Sequence, residues 1–301
     1  MMRQTTTAFA VLVLWAMGGL ESLGDETRAT SLPLQLKQVR TVALTLTDCR
    51  GIAIGPGDAL YVAGTEGVQM FDAQGHKIRL LKTSQPARCV AVDGAGMVSV
   101  GLDQRVERFD AGGARLNAFG AAGKEPGQLG LITGIATTGD FIFIADAAHR
   151  RIHRFSALGE FVDDLEGFGI PSPYFPCAVD SNGNLYVSHT GKRMVEVYDG
   201  NLKRMRAWGR WGAGPGEFFG CCNPAHLAVF ADGRVATSDK VLPRIQVFSA
   251  EGELLAFLGT EAFDPDEMRL ALAIDSQGRL AALVSRTPEV RYYELVNARS
   301  E

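Results

Sequence analysis

The chain has 301 residues and a formal net charge of −4, which fits one large all-β domain or two ordinary domains. The mild negative charge gives no electrostatic reason to expect nucleic acid or an acidic membrane surface as a partner. Its 35 glycines are typical of a protein with many tight turns.

The N-terminal segment has the features of an export signal. Arg3 precedes an apolar run over residues 8–17, and small residues follow as far as Gly24. This order matches the charged, apolar and cleavage regions of a secretory signal. The run is shorter than the roughly 20 apolar residues of a transmembrane helix. We therefore predict that residues 1–24 are a signal peptide or, alternatively, an uncleaved anchor. Residues 25–35 are predicted to be a polar linker, and the folded domain to be periplasmic or secreted.

Six repeats of one strand pattern follow this linker. Each repeat has a short apolar strand, an acidic or glycine-containing turn, a second apolar strand, and a third strand that ends in an aromatic residue. The third strands end at Phe71-Asp72, Phe109-Asp110, Phe155-Ser156, Tyr198-Asp199, Phe248-Ser249 and Tyr292-Tyr293. Their spacing of about 38 to 50 residues is that of four-stranded propeller blades. The first turns contain Asp58, Asp93, Asp140, Asp180, Asp232 and Asp275, a residue type that favours tight turns.

The two ends of the repeat array complement each other. The last repeat, over residues 271–296, has room for only three strands, and a strand predicted over residues 39–46 has no partner of its own. An open array would expose edge strands. We therefore predict that residues 39–46 form the outer strand of the last blade. The fold class is all-β: a six-bladed β-propeller over residues 36–296 with a C-terminal tail at 297–301.

The ring has two faces, and the cysteines favour one of them. Cys49, Cys89 and Cys177 start inner strands, and Cys221 and Cys222 lie in the loop before the fifth inner strand. All five should lie near one mouth of the channel. Cysteines of exported proteins usually pair, and five cannot all pair within one chain. A vicinal Cys221–Cys222 disulfide, separate partners for each, and plain burial of Cys89 and Cys177 all remain open.

Basic residues favour the same face, and the six hairpin aspartates lie on the opposite face. Arg50 and Arg88 occupy equivalent positions before two neighbouring inner strands, where they could grip one anion. The alternative is that such arginines pair with nearby acids such as Asp48, Asp146 and Asp239. The predicted ligand-binding residues at this mouth are Arg50, Arg88, His189, Cys221, Cys222, Asn223, His226 and Lys240.

A metal site at this mouth is a second possibility. Cys222, His226 and His189 are ligand types that zinc or copper accepts. The alternative is that the histidines are ordinary loop residues. We find no nucleophile elbow or phosphate-binding loop, and we predict no catalytic residue.

Two short segments end their repeats with the same pattern, Arg-Ile at the start and Phe at the end: RIHRF at residues 151–155 and RIQVF at residues 244–248. With the overall pattern, they resemble NHL-repeat six-bladed β-propellers across residues 36–296. The resemblance implies a propeller that serves as a binding scaffold or, more rarely, as an enzyme. We therefore predict a non-catalytic binding or scaffold module for a protein, a peptide or a small anionic ligand.

The alternative is a metal-dependent or thiol-dependent enzyme on the same ring. Residues 222–229 (CNPAHLAV) are similar to a segment of the NHL-like peptidyl-amidating lyases. That resemblance implies a central zinc held by histidines from several inner strands. In this chain only His226 stands at such a position, and the matching residues elsewhere are Gly51, Cys89, Gly134 and Pro176. The three-histidine set is therefore missing.

Overall fold

A computed structural model describes residues 32–46 and 48–298, which form six four-stranded antiparallel sheets. The inner strands of the six sheets contact one another in a closed circle around a central channel. This arrangement confirms the predicted all-β, six-bladed propeller. The predicted signal at residues 1–24 lies outside the described residues. In the part of the chain that the structure describes, no helix is both long and apolar enough to cross a membrane.

Each blade runs from an inner to an outer strand. Blade 1 comprises β2 (Gly51–Ile54), β3 (Leu60–Gly64), β4 (Gly67–Phe71) and β5 (Lys77–Lys82); blade 2 comprises β6 (Cys89–Val92), β7 (Val98–Gly101), β8 (Val106–Phe109) and β9 (Arg115–Phe119). Blade 3 comprises β10 (Ile132–Thr137), β11 (Phe141–Asp146), β12 (Arg151–Ser156) and β13 (Phe161–Leu165); blade 4 comprises β14 (Cys177–Val179), β15 (Leu185–His189), β16 (Met194–Tyr198) and β17 (Arg204–Trp208). Blade 5 comprises β18 (His226–Val229), β19 (Val235–Asp239), β20 (Arg244–Phe248) and β21 (Leu254–Leu258); blade 6 comprises β22 (Leu272–Ile274), β23 (Leu280–Val284), β24 (Glu289–Asn297) and β1 (Leu34–Ala43).

The ring closes through β1, which pairs antiparallel with β24 from Leu34 opposite Asn297 to Ala43 opposite Glu289. The predicted partner is therefore right, but the strand begins at Leu34 rather than at residue 39, inside the segment predicted as a linker. Leu46, which was predicted to end this strand, instead packs into the core between blades 6 and 1. The chain has already left the sheet there, because it must turn inward to start blade 1.

The residue after the closing aromatic explains the aromatic-Asp or aromatic-Ser pair that recurs in the first five repeats. Asp199 Oδ1 accepts the backbone N–H groups of Asn201 and Lys203, both at 2.9 Å. Ser156 Oγ accepts two N–H groups in the same way, from Leu158 at 3.3 Å and Glu160 at 3.2 Å. These bonds fix the hairpin that leads to the outer strand. The sequence pattern is thus a local turn signal.

Three aspartates of the first hairpins work similarly. Asp180 Oδ1 accepts the N–H groups of Asn182 and Asn184 at 2.9 Å. Asp93 and Asp275 bind the N–H groups of their own turns in the same way. Asp58 differs, since it accepts the N–H and hydroxyl of Ser276 in blade 6. We call this side of the ring the hairpin face and the opposite side the mouth face.

The hydrophobic core is divided into six clusters, one between each pair of neighbouring blades. Between blades 3 and 4, for example, Phe143 and Ile152 pack against Phe175 and Val187. Each blade thus buries both of its faces against its neighbours. This arrangement holds the inner-strand ends at fixed positions around the mouth.

Candidate functional site

A cavity of about 220 Å³ opens at the mouth face, and residues from all six blades or their connecting loops line it. We call it the mouth cavity. Its lining residues are Arg50, Arg88, Ile132, Thr133, Pro173, Tyr174, Phe175, Ala225, His226 and Arg269. Of the eight residues predicted to bind a ligand, the structure places Arg50, Arg88 and His226 in this wall.

Arg50 and Arg88 directly precede β2 and β6, and their backbones are anchored to those sheets. The N–H of Arg50 donates to Ala63 O and that of Arg88 to Gly101 O, both at 2.8 Å. The two side chains also pair with acids: Arg50 Nε lies 2.8 Å from Asp48 Oδ2, and Arg88 Nε contacts Asp103. The alternative interpretation, that these arginines pair with nearby acids, is therefore confirmed, and their binding of an anion stays a prediction. Each guanidinium carries five N–H donors, so one acid partner leaves others for a ligand.

Arg269 is a third arginine of the mouth cavity, and the sequence analysis missed it. Its Nη1 contacts Asp48 Oδ1, so Arg50 and Arg269 share one carboxylate. Partial burial would raise the pKa of Asp48, but the two arginines outweigh burial and lower that pKa. Arg269 lies three residues before β22 rather than next to it. The repeat alignment therefore gave no signal for it.

His226, the first residue of β18, presents a buried nitrogen without a partner. Its Nε2 is buried and makes no hydrogen bond with the described residues. Burial, together with repulsion from Arg269, lowers the pKa of His226 from 6.5 to about 4. The residue as a whole keeps some exposure at the cavity wall, although its ring nitrogen is enclosed. At neutral pH the imidazole is therefore uncharged, and its enclosed Nε2 has no hydrogen-bond partner among the described residues.

Tyr174 connects His226 to Lys240. Its ring centroid lies 6.4 Å from that of His226 in an edge-on arrangement, and Lys240 Nζ lies 4.1 Å from the centroid of the same tyrosine. Lys240 thus stands behind Tyr174 rather than in the cavity wall. Tyr174 was not predicted either. The only hint in the sequence was the series of prolines at 171, 173 and 176, which stiffens this loop.

His189 has a structural role away from the mouth cavity. It is 2% exposed, its Nε2 accepts the N–H of Gly169 at 2.8 Å, and its Nδ1 lies 3.2 Å from Glu196 Oε1. Burial would raise the pKa of Glu196, but hydrogen bonds from His189 and Tyr198 lower it to about 2. The side chain of His189 therefore ties the loop before blade 4 to β16.

Asn223 is also occupied by its own surroundings. Its Nδ2 donates to Phe219 O at 2.6 Å and to Lys240 O at 3.0 Å, and its Oδ1 accepts the N–H of Lys240 at 3.0 Å. The side chain is 1% exposed. It joins the loop before β18 to the loop after β19 and presents no amide to the cavity.

The five cysteines are free thiols within the described chain, so a disulfide stays a prediction. Cys49, Cys89 and Cys177 are buried. Burial raises the pKa of the Cys89 thiol to about 12 and that of Cys49 to about 11. These values are typical of inert thiols that fill a core, as the plain interpretation of Cys89 expects. Cys221 is exposed and Cys222 is buried beside it.

The predicted metal ligands Cys222, His226 and His189 do not form a cluster among the described residues. Three other residues do: Asp146, His149 and His153. Asp146 Oδ2 lies 2.9 Å from His149 Nδ1 and 3.3 Å from His153 Nε2. His153 Nδ1 in turn lies 2.6 Å from Asp164 Oδ1, the kind of outer carboxylate that orients metal-binding histidines.

The donor types of this group suit zinc, but the carboxylate is already well stabilised by the protein. Asp146 accepts the backbone N–H groups of Gly130, Leu131, Ala148 and His149. Burial would raise the pKa of Asp146, yet the bonds from His153 and from these N–H groups lower it. The group therefore anchors the loops around blade 3 without needing a cation.

No family model and no curated protein matches this chain. Solved structures do match it. The chain is similar to a protein in the crystal structure of a mitotic checkpoint complex, at 12% identity and a TM-score of 0.61, over 97% of this chain and 99% of that one. It is similar to a streptogramin B lyase at 11% identity and a TM-score of 0.59, over 88% and 98%. It is similar to U3-55K at 13% identity and a TM-score of 0.59, over 81% and 77%. At such identities the likeness supports the propeller fold alone, and membership of the NHL family stays a prediction.

Proposed function

We propose that this protein is a non-catalytic binding module whose mouth cavity takes a carboxylate-bearing ligand. One observation carries the proposal: Arg50, Arg88 and Arg269, from blades 1, 2 and 6, line one cavity, and His226, whose Nε2 has no partner among the described residues, lies in the same wall. Guanidinium groups match carboxylates in geometry and charge. Three different blades contribute these side chains, and the backbones of Arg50 and Arg88 are anchored to their sheets, which favours recognition of a defined group.

The charge at the mouth cavity supports an anion. The three arginines contact two aspartates, Asp48 and Asp103. One positive charge is therefore left over, and Lys240 adds another at the rim behind Tyr174. The cavity of about 220 Å³ is smaller than a typical drug-sized pocket, so it suits one small acid or one acidic side chain. One protein to which this chain is similar comes from the structure of a mitotic checkpoint complex, which is consistent with a ligand presented by a protein partner.

The test is titration calorimetry at low ionic strength with two probes: citrate as a free carboxylate, and a blocked tetraglutamate peptide as an acidic segment. Arg50→Ala combined with Arg88→Ala should weaken binding of the effective probe by more than tenfold. Arg234→Ala is the matched control, because Arg234 on the hairpin face also pairs with an aspartate and its side chain is similarly exposed (28%, against 24% for Arg50). It should change the affinity by less than about twofold.

The two probes separate the sources of the carboxylate. Binding of citrate alone would indicate a small-molecule ligand, and preference for the peptide would indicate a protein partner. Failure of wild-type protein to bind either probe would overturn the proposal. So would an Arg234→Ala effect as large as that of the arginine pair.

A further inference from the structure

Cys221 and Cys222 are a vicinal pair of cysteines outside the lining of the mouth cavity. They lie in the loop between β17 and β18, and their Sγ atoms are 2.7 Å apart. Cys221 is exposed to solvent, whereas Cys222 is 1% exposed. One thiol can therefore meet a reagent from solution, and the other can be reached only from its neighbour.

The loop holds both residues in place. Just before the pair, Gly220 O accepts a hydrogen bond from Arg193 Nε at 2.8 Å. Just after it, Asn223 is clamped by its hydrogen bonds to Phe219 and Lys240. The two sulfur atoms are thus kept adjacent by bonds that do not involve the thiols themselves.

Two neighbours of Cys222 offset part of the cost of ionising this buried thiol. Ser172 Oγ donates to Cys222 Sγ at 2.6 Å. Burial and the contact with Cys221 raise the pKa of Cys222 overall, and Ser172 and the charge of Lys240 reduce that rise. A hydroxyl donor and a nearby ammonium both stabilise a developing thiolate. The sulfur that this thiolate would attack is already within contact distance, so the step is intramolecular.

We propose that Cys221 and Cys222 are a redox-active dithiol that closes reversibly to a vicinal disulfide by exchange with a small disulfide such as oxidised glutathione. The Cys221 thiolate attacks one sulfur of the reagent and releases one reduced thiol, which leaves a mixed disulfide on Cys221. Cys222 then attacks Cys221 Sγ and releases the second reduced thiol. The protein loses two hydrogens, and the reagent disulfide is reduced to two thiols.

Covalent geometry predicts that this disulfide is easily reduced again. Adjacent Cα atoms are about 3.8 Å apart across a trans peptide. Unstrained disulfides usually join Cα atoms roughly 4.4 to 6.8 Å apart. A bond between neighbours is therefore strained, and strained disulfides are the labile, regulatory kind. This behaviour differs from that of a structural cross-link.

The experiment follows thiols in single peptides. Folded protein is treated with oxidised glutathione, unfolded in N-ethylmaleimide and digested with trypsin without reductant. Residues 211–234 should come off as one peptide that contains both Cys221 and Cys222, and the other three cysteines fall in three different peptides.

Before oxidation this peptide should carry two maleimide groups. After oxidation it should carry none, hold no glutathione and weigh two hydrogens less. Reduced glutathione should restore both labels.

Variants separate the two steps. Cys222→Ser, or Cys222→Ala if the serine variant is unstable, should keep glutathione on Cys221 because nothing displaces it. Cys221→Ser should gain no adduct because Cys222 is buried, and Cys89→Ser should behave like wild type. The proposal is overturned if excess oxidised glutathione leaves both thiols labelled in the wild-type protein. A lasting adduct on wild-type Cys221, or a disulfide from either residue to Cys49, Cys89 or Cys177, would overturn it too.

Discussion

The hairpin face and the mouth face both carry charged side chains, but they use them differently. On the hairpin face, aspartates such as Asp180 accept N–H groups from residues two and four positions later. Asp58 is an exception, since it binds Ser276 of the next blade. On the mouth face, Asp48 forms ion pairs with Arg50, from its own loop, and with Arg269, which lies near the other end of the chain. Charges of the first kind make turns, and charges of the second kind build a surface that exists only in the closed ring.

The mouth face itself contains two kinds of arginine. Arg244 and Asp239 form a fully buried pair, with Nε 2.8 Å from Oδ2 and side-chain exposures of 2% and 0%. Arg244 also donates to the carbonyl oxygens of Ala213 and Glu217. Arg50 is more exposed and faces the mouth cavity. The first arginine therefore holds the blade together, and the second lines the cavity that we propose binds a ligand.

The largest effect is expected from breaking the buried pair. Arg244→Ala should lower the free energy of unfolding by about 3 to 5 kcal/mol. Burial raises the pKa of Asp239 to about 7 even with Arg244 beside it, so without the arginine this carboxyl must either stay charged without a partner or take up a proton. Arg50→Ala should lower the free energy of unfolding by less than about 1 kcal/mol. Urea denaturation measures both. The double change Arg244→Met with Asp239→Leu should recover much of the loss. Equal losses for Arg244→Ala and Arg50→Ala would erase the distinction between the two arginines.

The next effect concerns pH and His226. Its pKa is lower in the folded chain (about 4) than the ordinary value of 6.5, so folding favours the neutral ring. The resulting stability is fully present above pH 6.5 and is lost as the pH falls from 6.5 toward 4. Between pH 7.5 and 4.5, wild type should lose about 2 to 3 kcal/mol more than His226→Gln. Parallel stability profiles for the two proteins would show that His226 is not held neutral.

The smallest effect is expected on the hairpin face. Asp180→Ala removes acceptors for Asn182, Asn184 and Tyr186, and should lower the free energy of unfolding by about 1 to 2 kcal/mol. Binding of citrate or tetraglutamate should not change. Asp140→Ala is the control, because the side chain of this hairpin aspartate makes no hydrogen bond with the described residues; its effect should stay within about 0.5 kcal/mol. A loss of ligand binding in Asp180→Ala would mean that the two faces are coupled.

The ring could be predicted from the sequence because its signals are local. Asp199 accepts N–H groups from residues two and four positions later, so all the groups that form this turn lie within a few consecutive residues. The predicted start of β1, residue 39, was wrong because this part of the chain lacks such local signals. Residues 34–38 have no turn signal of their own, and they are strand only because β24 lies beside them.

The proposed binding surface was only partly predictable. Arg50, Arg88 and His226 stand at inner-strand starts, where the repeat pattern shows where a side chain must lie. The same pattern placed His189 and Asn223 near the mouth, but it could not show that Glu196 and Lys240 already engage them. Burial and hydrogen-bond partners depend on neighbouring blades, which a one-dimensional pattern does not contain.

The sequence by itself determined the number of blades, the turn chemistry and the face on which each loop emerges, since all three follow from short-range periodicity. Only the tertiary structure decided which side chains meet. Asp48 and Arg269 contact each other across 221 residues of chain, and Tyr174 reaches His226 from a different blade connection. The first contact arises when the last blade closes against the first, and the second arises when blade 5 packs beside blade 4. The physical reason is that ring closure fixes distances that no local signal encodes.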